Sequence, residues 1–277
     1  MYNAEYTRTF YNAYGEFEWT RLESPYGRLQ AIIHEDCIKR YIKPGDRVLD
    51  AGSGPGRFSI TVVRLGANVT VLDISDGQLK LAKEKIAATG LIEKIDRFIE
   101  ADICDLSAFP GGYFDMVICF GGALSYVCEK RQKVAYELMR VTRPGGTILV
   151  SVMSRFGGIL YLARQPGLAA LEESRGSDQG SAVIWSALDT GDLPGFPSRR
   201  TNTMHLFTAE ELPTLFKDCQ TLEIAGSNVT IPEILPKVEV IASNPSAWST
   251  LVELERRLNH DPGLVNSGSH IILTVKK

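Results

Sequence analysis

The sequence lacks an apolar run long enough to cross a membrane. A helix that spans a bilayer needs about 20 consecutive apolar residues, whereas the longest candidate run in the 277 residues, Thr147 to Met153, has only the length of a strand. The amino terminus, Met1 to Phe10, has no basic stretch followed by an apolar one, which is the pattern of a secretory signal. These absences favour a cytoplasmic protein with no membrane partner.

A basic excess is also absent. The chain has 30 Lys and Arg against 33 Asp and Glu, a net charge of −3, and its basic pieces are as short as Arg199-Arg200 and Lys276-Lys277. Proteins that bind nucleic acid usually carry a basic patch or stripe. The composition therefore disfavours a nucleic-acid partner and favours a small molecule, and it is compatible with a homodimer.

Cysteine and histidine are scarce and widely spaced. The five cysteines include no Cys-x-x-Cys pair, and the four histidines show no zinc spacing. We therefore expect reduced thiols, mostly in the core, and no metal site.

Short apolar strands alternate with helices from Arg47 to Met153. The predicted strands are 47–51, 68–73, 95–101, 114–120 and 147–153, with two more at 222–231 and 270–275. Strands that alternate with helices make right-handed crossovers and a parallel sheet covered on both faces. The predicted fold is α/β: a Rossmann-like, doubly wound, mostly parallel seven-stranded sheet.

The segments around this alternation differ in character. The chain shows no internal repeat and no linker between two cores, which predicts one domain over residues 1–277. Its parts are an aromatic-rich helical cap (1–44), a core (45–153), an insertion after the fifth strand (154–204) and a carboxyl-terminal part of the core (205–277). The insertion is expected to be partly helical, from Ile159 to Glu173, and Thr208 to Glu211 matches a capping box that predicts a helix.

A glycine loop follows the first strand and opens a helix. It reads Asp50-Ala51-Gly52-Ser53-Gly54-Pro55-Gly56-Arg57. Glycines allow a ligand to approach the backbone closely, and a helix amino terminus offers free N–H groups. The third glycine comes one residue too early for the dinucleotide pattern G-x-G-x-x-G, and the phosphate loop G-x-x-x-x-G-K-[ST] is missing. The spacing therefore disfavours a nicotinamide-dependent dehydrogenase.

The loop resembles motif I of the class I S-adenosylmethionine-dependent methyltransferases, of the bacterial small-molecule type. Further motifs follow in the family's order: Asp73 and Asp102 end the second and third strands, Phe114 to Phe120 resembles the fourth-strand motif, and Leu138 to Gly146 resembles the turn before the fifth. The resemblance covers Val48 to Val152. It implies S-adenosylmethionine as the cofactor and S-adenosylhomocysteine as the product.

The resemblance also assigns roles to residues. Asp73 would accept hydrogen bonds from the ribose hydroxyls, Asp102 would bind the adenine amine, and loop N–H groups would bind the cofactor's carboxylate. The full cofactor set is Asp50, Gly52, Ser53, Gly54, Gly56, Asp73, Ile74, Asp102, Ile103, Phe120 and Gly121. Simpler roles stay open: the glycines as turn residues, Asp73 as a helix cap, Asp102 as an acceptor for loop amides, and Phe120-Gly121 as packing and turn.

Catalytic residues are harder to assign. Methyl transfer is an in-line displacement that gains much of its rate from positioning, so the site need not contain a general base. The candidates for a base are Tyr14 and His205, with Tyr11, His34 and His270 behind them. Candidates for contacts from the cap or to the acceptor are Tyr11, Trp19, Tyr126 and Trp185. Each of these side chains could instead serve packing alone.

Three functions are compatible with the sequence. The favoured one is methyl transfer to a small-molecule acceptor, with the cap and the insertion shaping the acceptor site. The alternatives are an RNA methyltransferase acting on a tRNA base, and a protein that binds S-adenosylmethionine without catalysis. Fold alone does not select among them.

Overall fold

The computed structural model describes residues 1–164, 177–194, 202–234 and 237–277. The strands in these ranges are β1 (Arg47–Ala51), β2 (Asn68–Asp73), β3 (Ile95–Glu100), β4 (Phe114–Cys119), β5 (Thr142–Met153), β6 (Asp192–Leu193), β7 (Met204–His205), β8 (Gln220–Ser227) and β9 (His270–Lys276). Seven of them form one sheet in the order β3-β2-β1-β4-β5-β9-β8, while β6 and β7 pair separately.

The α-helices lie between and before these strands. They are α1 (Ala4–Tyr14), α2 (Phe17–Thr20), α3 (Pro25–Tyr41), α4 (Arg57–Arg64), α5 (Asp76–Ala87), α6 (Ala123–Tyr126), α7 (Arg131–Val141), α8 (Arg155–Arg164), α9 (Ser177–Thr190), α10 (Ile231–Ile234), α11 (Val238–Ala242) and α12 (Pro245–Leu258). Short 3₁₀ helices occupy Ile92–Lys94, Cys128–Lys130, Leu212–Phe216 and Val265–Ser267.

The sheet is parallel except at one strand. β3, β2, β1, β4 and β5 pair in parallel, and β9 runs antiparallel between β5 and β8. This arrangement confirms the predicted Rossmann-like, mostly parallel seven-stranded sheet, and the helical amino terminus is also present. β5 begins five residues before the predicted start, because Thr142 pairs with Phe114 ahead of a register shift.

Apolar side chains cover both faces of the sheet. On one face, Ile38, Phe58 and Ile86 of α3, α4 and α5 pack against strand residues. On the other face, Leu138 of α7 and Phe216 belong to a second buried cluster. A strand that is buried on both faces has a continuous run of apolar residues. The apolar run of β4 predicts a buried strand for this reason.

Polar caps fix where several helices begin. The side chain of Asn3 accepts the Tyr6 N–H at α1, and Ser24 accepts the Gly27 N–H at α3. Ser75 accepts the Gln78 N–H at α5, the helix that follows β2. These bonds satisfy N–H groups that lack partners in the first turn. The start of each of these three helices is therefore fixed by the side chain that precedes it.

Two predictions in the carboxyl-terminal part were wrong. The Thr208 hydroxyl accepts the Glu211 N–H as the capping box requires, but a 3₁₀ helix follows instead of an α-helix. The strand predicted over 222–231 ends at Ser227, because Asn228 adopts φ +63° and the buried Glu255 carboxylate accepts the next two amides.

The insertion differs from its prediction in part. The helix expected from Ile159 to Glu173 appears as α8, which begins at Arg155 and is described as far as Arg164. The rest of that prediction lies outside the described residues. The small β6–β7 pair joins Leu193 to Met204, and the Asn202 amide donates to the Thr7 hydroxyl of α1. The insertion therefore touches the amino-terminal cap.

Candidate functional site

A cavity lies at the carboxyl ends of β1 to β4, under the amino-terminal cap. Its walls include Asp50 and Asp73 from the strand ends, the glycine loop, and Tyr11 from the cap. Open α/β sheets bind ligands in the crevice at the carboxyl ends of their strands. The cavity therefore lies where the sequence placed its ligand site.

The glycine loop has the backbone shape that its sequence requires. Gly52, Gly54 and Gly56 have φ values of +78°, +52° and +80°, which are conformations that side chains disfavour. A Cβ on Gly52 would also lie 2.7 Å from the Cβ of Ala123. Close packing and positive φ together exclude larger residues at this position.

The N–H groups of this loop are bonded to protein oxygens. Gly52 and Ser53 donate to the carbonyl of Leu72 at 2.8 and 3.0 Å. Gly54 donates to Asp73 at 2.7 Å. Gly56 donates to Ser53 at 3.1 Å, and proline, at position 55, has no N–H. This differs from the expectation that loop amides bind a carboxylate of the ligand.

Asp50 and Asp73 are buried carboxyls on the cavity wall. Asp50 accepts a hydrogen bond from the Ser59 hydroxyl at 2.6 Å. Asp73 accepts the N–H groups of Gly54 and Ser75, at 2.7 and 2.8 Å. Burial raises the pKa of each carboxyl to about 6. Asp73 thus caps the turn into α5 and also lines the cavity.

Asp102 meets a residue that the sequence did not point to. One of its oxygens accepts the Cys104 N–H at 2.8 Å, and the other accepts the Tyr2 hydroxyl at 2.9 Å. Tyr2 also lines the cavity, and burial raises the pKa of its phenol, which keeps it a donor. No sequence signal links two positions 100 residues apart; only the closure of the cap brings them together.

The other predicted cofactor residues lie on the same wall. Ile74, Ile103, Phe120 and Gly121 all line the cavity. Phe120 packs against Phe58 with ring centroids 5.2 Å apart, and the Gly121 N–H donates to the Ser151 hydroxyl at 3.0 Å. Gly56 does not belong to the lining described for this cavity; its Cβ position faces Ala82 of α5.

The aromatic candidates divide into two groups. Tyr11 and Tyr126 line the cavity, are hydrogen-bonded to each other, and have ring centroids 5.8 Å apart. Tyr14 does not line the described cavity: it stacks on Phe10 at 5.4 Å and meets the lining residue Tyr11 edge-on, with ring centroids 6.2 Å apart. Trp19 also lies outside this wall: its ring nitrogen donates to Glu23 at 2.8 Å, and the cations of Arg57 and Lys85 lie over its ring.

None of the three histidine candidates lines the described cavity, but His34 packs directly behind its wall, with ring centroids 5.5 Å from Phe58 and 4.8 Å from Phe120. His34 and His270 contact each other at 5.7 Å between ring centroids, and burial lowers the pKa of both, to about 4 for His34. The ring nitrogens of His205 lie 2.7 Å from carboxylate oxygens of Asp192 and Glu211.

The contacts of His205 indicate a structural role. Both of its ring nitrogens are engaged by these carboxylates, so the ring connects β6 to the segment that follows β7. Trp185 is 61% exposed on α9 and does not line the described cavity. Neither residue is placed against a ligand in this cavity.

Two charged residues of the cap line the cavity and were not predicted. Glu18 and Arg21 form a paired contact, with the Arg21 Nε 2.7 Å from Glu18 Oε2 and a second bond beside it. Their three-residue spacing suits neighbouring positions on one helical turn. The pattern is too common on helices to have identified them as site residues.

Comparison with known proteins agrees with the site. The family described as a methyltransferase domain matches residues 48–146. The chain is 37% identical over 110 residues to a malonyl-[acyl-carrier protein] O-methyltransferase of Pectobacterium atrosepticum, covering 40% of each chain. It is 36% identical over 155 residues to the ubiquinone/menaquinone biosynthesis C-methyltransferase of Edwardsiella ictaluri, covering 53% of this chain and 59% of the relative.

The matches to these two relatives thus cover less than two thirds of either protein. A solved structure from Thermotoga maritima, described as an S-adenosylmethionine-dependent methyltransferase, superposes with a TM-score of 0.57 over 97% of this chain and 99% of its own, at 14% identity. That likeness is one of fold.

Membrane-spanning helices and metal clusters are both absent from the described residues. Within the ranges given above, no helix is long and apolar enough to cross a membrane. No group of three or more His, Cys, Asp or Glu side chains in those ranges is placed to hold a metal ion.

Proposed function

We propose that this chain, whose core belongs to the class I S-adenosylmethionine-dependent methyltransferases, transfers a methyl group from S-adenosylmethionine to a small-molecule acceptor. The observation that carries the proposal is the meeting of Asp50, Asp73 and Asp102 around one cavity beside the glycine loop. These three carboxylates come from the ends of three adjacent parallel strands. Their order along the chain matches the order of the family motifs.

The residue types fit this cofactor better than a nucleotide with phosphates. S-adenosylmethionine carries an ammonium group, two ribose hydroxyls and an adenine amine, all of which donate hydrogen bonds. Buried carboxylates are strong acceptors for such donors. Phosphates would instead be repelled by three acids. In this reading Asp73 binds the ribose and Asp102 binds the adenine amine beside Ile103.

Positioning carries most of the chemistry in this proposal. When bound, the cofactor would supply a sulfonium methyl group, which passes in line to an acceptor atom as its bond to sulfur breaks and S-adenosylhomocysteine leaves. Tyr11 of the cap and Tyr126 of α6 close the cavity and exclude water. Burial raises the pKa of both phenols, so they act as donors that orient the acceptor. The rate then comes from holding two centres close and aligned.

The acceptor class rests on the charge of the chain and on the covered cavity, and not on the relatives. The printed names of the relatives include an acyl-carrier-protein O-methyltransferase and a quinone C-methyltransferase, so they do not agree on an acceptor. The net charge of −3 and a cavity covered by the cap support a small molecule that enters when the cap opens. Five free cysteines support a reducing compartment such as the cytoplasm.

Calorimetric titration of the purified chain with S-adenosylhomocysteine tests the cofactor, with NAD as the matched control. We expect micromolar binding of S-adenosylhomocysteine and none of NAD. Incubation with S-adenosylmethionine and a panel of metabolites, followed by mass spectrometry, then identifies the methylated product. A folded chain that binds neither ligand would overturn the proposal.

A further inference from the structure

The carboxylate of the proposed cofactor lacks a partner in the glycine loop. Every N–H group of residues 52–56 donates to an oxygen of the protein, and Pro55 has none. The loop therefore has no donor left for an anion. The cavity lining also holds four acids, Glu18, Asp50, Asp73 and Asp102, which would repel a carboxylate unless a cation faced it.

Two arginines line the cavity, and they are placed differently. The guanidinium carbon of Arg57 lies 4.9 Å from the ring centroid of Trp19, a residue outside the cavity wall. The charge of Arg57 is thus engaged by the Trp19 ring. Arg21 is mostly buried, with its side chain 27% exposed, and its partner Glu18 is 14% exposed.

Glu18 lies over the glycine loop and pairs with Arg21. The Cγ of Glu18 lies 3.7 Å from the position that a Cβ would take on Gly54. Arg21 uses Nε and Nη2 for Glu18. Its third nitrogen, Nη1, donates no hydrogen bond to the described part of the chain. A guanidinium has five N–H groups, so Arg21 can bind a second carboxylate while it keeps the first.

We propose that Arg21, oriented by Glu18, binds the α-carboxylate of the cofactor's amino acid end. This inference rests on the proposed function, because it assumes that S-adenosylmethionine occupies the cavity. The ion pair also matches the ligand in charge: the cofactor end carries an ammonium and a carboxylate, and the pair offers a carboxylate and a guanidinium. Recognition of this end then comes from the cap and not from the loop.

Two ligands that differ at this end test the proposal. S-adenosylhomocysteine carries the amino acid end, and 5′-methylthioadenosine lacks it. We expect Arg21→Gln to weaken binding of S-adenosylhomocysteine roughly 10- to 100-fold, the effect of losing a charged hydrogen bond. Binding of 5′-methylthioadenosine should stay unchanged, and Arg21→Lys should recover part of the loss. Arg28→Gln is the matched control and should leave both affinities unchanged, because Arg28 lies over the ring of Trp248 and outside the cavity lining. Arg57→Gln tests the other arginine of the lining, to which the proposal gives no role at this end of the cofactor.

Every other result would contradict either this inference or the proposed function. Equal weakening of both ligands in Arg21→Gln would show that the residue only holds the cap in place, and the inference would be wrong. Unchanged binding of S-adenosylhomocysteine in Arg21→Gln, or a loss in Arg57→Gln instead, would also overturn it. Absence of S-adenosylhomocysteine binding by the unmodified chain would overturn the proposed function itself, which separates the two failures.

Discussion

The hydroxyl of Tyr2 donates a hydrogen bond to the carboxylate of Asp102 at 2.9 Å, across 100 positions of sequence. This bond joins the start of the cap to the residue proposed to bind adenine. Two further contacts hold α1 on the core: the Asn12 amide donates to Asp76 at 2.7 Å, and the Gln78 amide donates to the carbonyl of Tyr11 at 3.0 Å. The cap is therefore attached at both ends of α1.

Replacing Tyr2 by phenylalanine should loosen the start of the cap. The change removes the donor to Asp102 and keeps the ring, so we expect faster hydrogen exchange in α1 at a cost of about 1 kcal/mol. Hydrogen exchange measured by mass spectrometry checks this. Tyr6→Phe is the control, because Tyr6 is 36% exposed. Equal exchange in both variants would remove the role of the Tyr2 hydroxyl.

Replacing Asp73 by alanine should weaken cofactor binding. A hydrogen bond to a charged group contributes about 1.5–3 kcal/mol, and we expect a loss of this size for S-adenosylhomocysteine by calorimetry. Asp73 also accepts the amides of Gly54 and Ser75, so the melting temperature must be measured alongside. A well-folded variant with unchanged affinity would refute the ribose contact.

The pH dependence of binding should follow the carboxyl of Asp73. Burial raises its pKa to about 6 from 3.8, so the folded chain keeps this proton where the unfolded chain has released it. Its contribution to stability therefore falls as pH rises from about 4 to about 6. Binding has the opposite sign, because the ionised carboxylate is the better acceptor.

We therefore expect affinity for S-adenosylhomocysteine to increase between pH 5 and pH 7. Calorimetry at several pH values measures this increase. Asp50 also titrates near pH 6, so Asp73→Asn is needed to separate the two carboxyls. An equally steep pH profile in Asp73→Asn would assign the effect to another group.

The half of the cavity that is formed by the strand ends could be predicted from the sequence, because every parallel strand places its last residues at the same edge of the sheet. Each parallel strand is an apolar run, and each ends at the same edge of the sheet, so an acid after a run such as Val69 to Leu72 must lie there. Asp50, Asp73 and Asp102 follow this rule. The predicted strand boundaries in the core differ from the observed ones by one residue at most, except at the start of β5.

The cap half of the cavity could not be predicted in the same way. Tyr2, Glu18 and Arg21 lie on or beside short helices. The hydrophobic pattern of these helices does not distinguish a residue that lines a cavity from a residue on the surface. Their placement depends on how α1 to α3 close over the sheet. The same limit explains His205, because no sequence pattern indicates that it pairs with Asp192 and Glu211.

Replacing His205 by asparagine should lower stability and leave cofactor binding intact. The ring is buried between two carboxylates, of which Asp192 is 65% and Glu211 is 26% exposed on the side chain. Exposure of Asp192 weakens that pair, so we expect a loss of about 1–3 kcal/mol. Denaturant unfolding measures it, with His260→Asn as the control, since His260 is 40% exposed. A normal stability with lost turnover would return His205 to the list of catalytic candidates.

Replacing Gly27 by alanine should disturb the corner that positions Arg21. A Cβ at residue 27 would lie 2.2 Å from the carbonyl oxygen of Arg21 and 2.5 Å from the Cα of Leu22, so the backbone must move. Overpacking of this kind costs about 1–3 kcal/mol, and the shift should also weaken binding of S-adenosylhomocysteine more than that of 5′-methylthioadenosine. Gly158→Ala is the matched control, because a Cβ there meets only Leu206, at 3.7 Å. If Gly27→Ala and Gly158→Ala have the same melting temperature and affinities, the close approach of α3 to Arg21 has no part in shaping the cavity.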